Sequence, residues 1–541
     1  MSIQTIVCSS LEKVFSGCGV LPAGIAELPV LQGETANAQF VLLSDKDVKV
    51  KVTAVCELPV VLYEVKEIFS SHPIDLKNAH RCTMLNGGAP GYYPDLLSPT
   101  DGAIELKAGK AVSVWAEVLT DGAKAGTYSL TLSAKACRVN ITESVTVRLA
   151  DCHIPEQQLV HTNWFHSDCL STYYKTEVFS EEYWRIVENF MKNAAQHGVN
   201  CLLTPLFTPP LDTEVDTERP TVQLAEVYKK GYTYTFDFTK LDRWVDTALR
   251  SGVKYFELSH LFTQWGAKCA PKIMAHTKDG YKRIFGWETN SVSQGYTSFL
   301  RQFSSALIGY TDNKGITDKC FVHCSDEPGI RHLARYRKTS DVIREYFGVY
   351  EHIDAMSDFE FYKLGLMQTP VPEEGNIDAF AGKVPSLWTY YCCGQYSDEL
   401  PNRFFVQPSI KNRILGTLLY KYDCAGFLQW GFNFYYTQLS RRPVDPFTET
   451  DAGGAFPSGD AFVVYPGADG TPLSSLRQKV FADGIRDIAA LKALEAKTSR
   501  EFVLALIKEQ LGDIDFKHYP LDIRTFEKYR KALFEEVEVH S

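Results

Sequence analysis

Through roughly the first 150 residues, apolar and polar positions alternate with a period of two, in runs such as Gln39 to Leu43, Val48 to Val52, Val112 to Val118, Tyr128 to Leu132 and Val145 to Leu149. Turn formers such as Asp121-Gly122 and Gly126 separate the runs. Short strands punctuated by turns predict an all-β sandwich. The Gly- and Pro-rich stretch Asn86 to Asp95 reads as a long loop, contributing to a ligand site or packing against the next domain.

From about residue 157 the pattern changes. A strand over Leu159 to Phe165 is followed by a helix capped by Ser180, on which Tyr183, Trp184, Val187, Phe190, Met191 and Ala194 recur at helical spacing until Gly198. The alternation continues with strands at Val199 to Phe207, Val253 to Phe262, Cys320 to Ser325, Tyr350 to Met356, Ile377 to Ala381, Ser386 to Cys393 and Gly426 to Trp430. Eight strands alternating with helices predict a (β/α)8 TIM-like barrel. A doubly wound sheet is the alternative, but no Gly-rich phosphate fingerprint follows any strand. A helix from about Ser474 closes the barrel, and helices near 500–511 and 524–536 form a tail. The expected division is a sandwich over 1–152, a catalytic barrel over 153–497 and a C-terminal helical extension over 498–541.

Composition narrows the function. Hydrophobic residues make up 45% and charged residues 23%, the balance of a globular protein. A net charge of −10 with no basic stripe argues against a nucleic-acid partner. With no run of about 18 apolar residues and no basic N-terminal segment leading into an apolar stretch, neither a membrane span nor an export signal is expected, which points to the cytoplasm. Many of the fourteen cysteines sit in apolar runs, as at Cys201, Cys320, Cys324 and Cys392-Cys393, which suits reduced thiols. Neither paired C-x-x-C spacing nor H-E-x-x-H is present, so no metal and no cofactor are expected, although His166, His260 and His323 lie near candidate carboxylates.

Barrel enzymes work at the C-terminal ends of their strands. Those ends carry Trp164 and His166, Phe207, His260, Asp326 and Glu327, Asp358, Trp388 to Tyr391, and Trp430 with Asn433. Aromatic faces stack on the C–H faces of sugars while acids and amides bond their hydroxyls, so this mixture suits a saccharide site. Asp326 and Glu327 stand out because Pro328-Gly329 ends the strand right behind them. The plainer reading makes Asp326 the cap of a helix running on through Leu333 and Arg337.

Ser325-Asp326-Glu327-Pro328 at the fourth strand, Trp430 at the eighth, and the block Gly459 to Gly467 with Ser474-Ser475-Leu476-Arg477 resemble glycoside hydrolase family 123. The resemblance implies a β-sandwich followed by a (β/α)8 barrel. It also implies a retaining β-N-acetylhexosaminidase, N-acetylgalactosamine favoured, in which the substrate's own acetamido oxygen is the nucleophile. Glu327 would then be general acid and base, and Asp326 would hold the acetamido N–H. Tyr390 or Tyr391 would hold the acetamido carbonyl, and Trp430 would floor the sugar subsite. Trp388, His260, Asp358, Trp164 and Asn433 complete the expected substrate-binding set, and the partner is an oligosaccharide or glycoconjugate. Two other readings stand beside this one: a glycosidase of the same fold for sugars without an acetamido group, with Asp358 as nucleophile, or a non-catalytic carbohydrate-binding protein.

Overall fold

The computed structural model describes residues 1–541 except 75, 76, 78, 137, 138 and 265. Two five-stranded sheets form the N-terminal sandwich. One runs in the order Ile3–Ser9, Thr35–Ser44, Ala111–Leu119, Val60–Ser70, Gly91–Pro99, and the other in the order Glu27–Gln32, Val139–His153, Gly126–Ala136, Val48–Val55, Ala103–Leu106. All five runs singled out by alternation lie inside these strands. Their inward residues, among them Phe40, Val52, Val114, Leu132 and Val147, make one buried core.

Asn86 to Asp95 is not one long loop. Its second half opens the edge strand Gly91–Pro99, paired with Val60–Ser70, and Asp95 on that strand is buried. Asp95 accepts Arg477 Nε at 2.7 Å and Nη2 at 3.0 Å, with Tyr465 O–H at 2.6 Å, so this strand ties the sandwich to the second domain.

Eight parallel strands make the barrel. They are β1 (Val160–Asn163), β2 (Cys201–Thr204), β3 (Tyr255–Leu258), β4 (Cys320–Val322), β5 (Glu351–Ala355), β6 (Thr369–Val371), β7 (Leu387–Tyr390) and β8 (Cys424–Gln429). The hydrogen-bonded order is β6-β5-β4-β3-β2-β1-β8-β7, and the ring closes where Tyr390 N–H donates to Pro372 C=O at 3.0 Å. Seven of the eight expected strands are found. Ile377 to Ala381 instead falls in the 3-10 turn Glu374–Ala379 and its exit, and the sixth strand is Thr369–Val371. Three residues with Pro at the centre give little periodicity to read.

The barrel interior is filled by Trp164, Leu203, Phe321, Ile353, Val371, Trp388 and Leu428. Trp388 lies so close to β8 that a Cβ on Gly426 would meet its ring at 2.1 Å, so this position requires glycine. Excursions after β2 and β3 build a four-stranded sheet outside the barrel, Thr233–Asp237, Glu226–Lys230, Ile273–Thr277 and Gly280–Phe285. The helices Arg500–Leu511 and Ile523–His540 do not hang free. Val503, Tyr529 and Leu533 share a buried cluster with Leu31 and Trp115 of the sandwich and with Ile410 and Leu491 of the barrel helices. No helix among the described residues is long and apolar enough to cross a membrane.

Candidate active site

β4 stops at Val322, three residues before the expected end, and the chain leaves the sheet in an irregular segment that carries the acid pair. Glu327 sits at φ 40°, left-handed backbone that costs a non-glycine residue about 1–2 kcal/mol. Such strain persists where surrounding structure enforces it, and it concentrates at functional sites. Pro328 and Gly329 lead into the turn Ile330–His332 and the helix Leu333–Phe347. Asp326 therefore lies outside the helix and caps nothing.

Asp326 is half-buried and Glu327 exposed. No hydrogen-bond donor among the described residues reaches Asp326. Burial lifts its carboxyl well above the ordinary aspartate range, with Glu327, Asp354 and Asp212 adding to the rise and His323 opposing it. Across the mouth, the Tyr390 hydroxyl donates to Glu327 Oε1. Burial and the two neighbouring acids hold the Tyr390 phenol well above its usual range. Tyr391 faces the other way. Its ring packs edge-on to Phe427 at 5.0 Å in the layer between strands and helices, and its hydroxyl is buried with no partner among the described residues.

At the end of β8, Trp430 is partly exposed and donates Nε1–H to Asp460 Oδ2 at 3.0 Å. Phe434 and Phe456 brace its ring edge-on at 5.1 and 5.2 Å. Burial pushes Asp460 up to about 7 against the pull of Arg403. Burial likewise pushes Asp212, on the excursion after β2, up to about 6, and its Oδ2 is buried with no partner among the described residues. Asp212 raises both Asp326 and Asp460, so the three acids face a common region. Asp212 carries no sequence signal, because it sits in a long loop with no periodicity. Asp460 was visible inside the Gly459 to Gly467 block.

The remaining expected residues are placed beneath or beside the mouth. Trp388 is 1% and Trp164 4% exposed, both within the barrel core, so neither offers a face to a sugar. Asn433 is fully buried, accepting His166 N–H at 2.8 Å and donating to His166 C=O at 3.1 Å, and it locks β8 to the end of β1. Asp358 caps the short helix Phe359–Lys363 by accepting Glu360 N–H at 3.1 Å. Phe207 packs on Phe303 at 4.7 Å in the outer core.

His260 belongs to a buried polar network below the mouth. Its ring stacks on His323 at 4.1 Å, and burial holds it well below the usual histidine range. His323 Nε2 lies 2.5 Å from Glu257 and Nδ1 3.2 Å from Asp354. Burial alone would lower His323, but the two carboxylates outweigh it and carry the imidazole up to about 9. Glu257 also accepts Trp164 Nε1–H at 2.6 Å and the Thr162 hydroxyl.

The candidate ligand atoms of His260, His323 and Asp354 lie within 4.8 Å of one another, which raises the question of a metal. The donor geometry does not fit one. Imidazole lone pairs lie in the ring plane, and rings stacked 4.1 Å apart at 16° cannot both aim at one ion about 2.1 Å away. A cavity of about 770 Å³ lies elsewhere, between the sandwich edge at Ser9 to Val30 and the helix bearing Arg524 and Arg530.

A (β/α)8 barrel whose C-terminal mouth joins an acid pair, a tyrosine and a braced tryptophan is the arrangement of a sugar-cleaving hydrolase. The chain belongs to glycoside hydrolase family 123: the family's catalytic-domain model matches residues 164–494. The fold is similar to that of a family 123 glycoside hydrolase from Clostridium perfringens, whose structural analysis concerned glycolipid glycan hydrolysis. The two are 15% identical, with a TM-score of 0.76 over 99% of this chain and 98% of that one. A β-glucuronidase from Parabacteroides merdae matches far more loosely, at 10% identity and a TM-score of 0.30 over 91% of this chain and 51% of its own. No curated protein matches the sequence.

Proposed function

We propose that the chain removes a terminal β-linked N-acetylhexosamine, N-acetylgalactosamine favoured, from a glycoconjugate or oligosaccharide with retention, using the substrate's acetamido oxygen as nucleophile. The observation that carries this reading is the Tyr390–Glu327–Asp326 cluster. Neighbouring residues place two carboxylates on one side of a sugar, which suits an acid and an acetamido holder better than an acid and a nucleophile facing each other across the anomeric carbon. Glu327 protonates the leaving oxygen and later activates water. Asp326 accepts the acetamido N–H and stabilises the positive charge of the oxazolinium-like intermediate.

In the free protein Tyr390 donates to Glu327, which makes Glu327 the acceptor and leaves the raised Asp326 as the acid that carries a shared proton. Substrate reverses this. Its acetamido carbonyl takes over the Tyr390 hydroxyl, the proton passes to Glu327, and the Asp326 carboxylate is freed for the N–H. Trp430, partly exposed at the end of β8, floors the subsite.

The test compares aryl β-N-acetylgalactosaminide, β-N-acetylglucosaminide and β-galactoside hydrolysis, together with inhibition by an N-acetylgalactosamine thiazoline. Turnover restricted to acetamido sugars, tight thiazoline binding lost in Asp326→Asn, and a fall in kcat of about 10²–10⁴ in Glu327→Gln on poor leaving groups are expected. Turnover of the plain galactoside without thiazoline inhibition would refute the mechanism.

A further inference from the structure

The loop that carries the acid pair is tied at both ends to one carboxylate. Asp354 of β5 accepts Cys324 N–H at 3.0 Å and Ser325 N–H at 3.4 Å, the two amides just before Asp326. It also accepts the Tyr336 hydroxyl, on the helix that resumes after Gly329. His352 Nε2 lies 3.0 Å and His323 Nδ1 3.2 Å from the same carboxylate. Through the 2.5 Å contact of His323 Nε2 with Glu257, and the 2.6 Å bond from Trp164 to Glu257, the tie extends to β3 and the end of β1. All of these groups are buried, and Asp354, Glu257 and Tyr336 are fully so.

We propose that Asp354 and His323 are positioning residues for the acid pair: Asp354 pins its loop from both sides, and His323, facing a carboxylate from each ring nitrogen, locks that anchor to β3 and sets a positive charge beside Asp326. This rests on the reading that Asp326 and Glu327 carry the chemistry. An imidazole between two carboxylates donates from both nitrogens and is therefore an imidazolium. The groups that converge on Asp354 and Glu257 are paired, which rigidifies a buried polar network, although Nδ1 of the stacked His260 beside them has no partner among the described residues. Pinning also explains how Glu327 stays in left-handed backbone on an exposed turn, since the strain has nowhere to relax when Ser325 and Tyr336 are both fixed. A loop carrying an acid that must meet a glycosidic oxygen gains from this, because a displacement of about 1 Å is worth about a hundredfold in rate.

The experiment measures amide hydrogen exchange over residues 320–332, and kcat, KM and the pH profile on an aryl glycoside, in Asp354→Asn, His323→Gln and Tyr336→Phe. Asp354→Asn is expected to speed exchange from Cys324 to Ile330 and to lower kcat about a hundredfold with KM within about threefold. Tyr336→Phe changes no charge and is expected to do the same on a smaller scale, about three- to tenfold in kcat. It carries the test if Asp354→Asn does not fold. His323→Gln is expected to move the acidic limb of kcat to higher pH. Asp326 faces Glu327, Asp354 and Asp212 with His323 as the opposing cation, and His323 itself faces Glu257, Asp354 and the stacked His260. Removing the cation leaves only acids to favour the protonated form.

Unchanged exchange from Cys324 to Ile330 in both Asp354→Asn and Tyr336→Phe overturns the proposal, as does a wild-type kcat and acidic limb in His323→Gln. If Asp326→Asn and Glu327→Gln are inactive while these variants behave as wild type, only the positioning role falls. If the wild type hydrolyses no glycoside, the functional reading falls, and the exchange data still decide whether the loop is pinned.

Discussion

Asp354 and Asp326 are two acids of one active region, and their surroundings treat them oppositely. Asp354 receives two backbone amides, a tyrosine hydroxyl and two imidazoles, and despite complete burial its carboxyl is held below the usual range by His352 and His323. Asp326 receives no donor among the described residues and is driven far above that range by burial and by Glu327. The difference separates structure from chemistry. A carboxylate whose lone pairs are filled from within holds the fold together, whereas one left unfilled in a crowded site is available to a ligand.

Asp95 sharpens the comparison from the structural side. It resembles Asp354 in being buried and filled, here by the Arg477 fork and Tyr465, and it joins the two domains. Asp95→Asn leaves the buried Arg477 without its counter-ion, so a loss of about 3–5 kcal/mol is expected in denaturant unfolding. The kcat of the folded fraction is expected to stay within about threefold of wild type. A variant that kept its stability would show that a filled carboxylate is no mark of a structural role in this protein.

Asp326→Asn tests the other side. Because the folded pKa of Asp326 is raised, the folded state keeps a proton that the unfolded chain has lost above about pH 4. The stability linked to that proton is present at low pH and is lost as pH rises through the folded value. Asn escapes the loss. The variant is expected to match wild type near pH 4 and to exceed it by about 0.5–2 kcal/mol at neutral pH, read from melts across that range. A variant less stable than wild type at neutral pH would mean that Asp326 has filled partners after all.

The sequence was most legible where a single period decides the outcome. Runs such as Val112 to Val118 became strands because one face of a sandwich sheet must be apolar, and Trp184 to Ala194 became a helix for the corresponding reason at period 3.6. The acid pair was legible because two adjacent charges before Pro328 break an apolar strand. The network beneath was not, because Glu257 of β3, His323 just past the end of β4 and Asp354 of β5 are far apart in sequence and meet only when the barrel closes. One trace was present, since Glu257 interrupts the apolar run Tyr255 to Leu258 and Asp354 interrupts Ile353 to Met356. A lone acid inside a parallel strand, which is buried on both faces, implies a partner. Their place at strand ends makes Trp388 and Trp164 candidates for sugar binding. Both point into the barrel, where large side chains fill the space beneath the mouth.

Asp358 gives the smallest expected effect and a clean way to break the comparison. It was the one strand-end acid available as a protein nucleophile, yet its carboxylate accepts Glu360 N–H at 3.1 Å and caps a five-residue helix. A cap on so short and partly exposed a helix belongs at the low end of its usual range, so Asp358→Ala is expected to lose about 0.5–1 kcal/mol of stability. Its kcat is expected to stay within about threefold of wild type on the acetamido substrate. Asp358 is half-buried like Asp326, so what separates the two is the donor: Asp358 already accepts a backbone amide and serves its helix, whereas no donor among the described residues reaches Asp326. Loss of hydrolysis as severe as in Asp326→Asn would reverse that argument, make Asp358 the nucleophile, and move the chemistry from substrate assistance to a covalent glycosyl-enzyme.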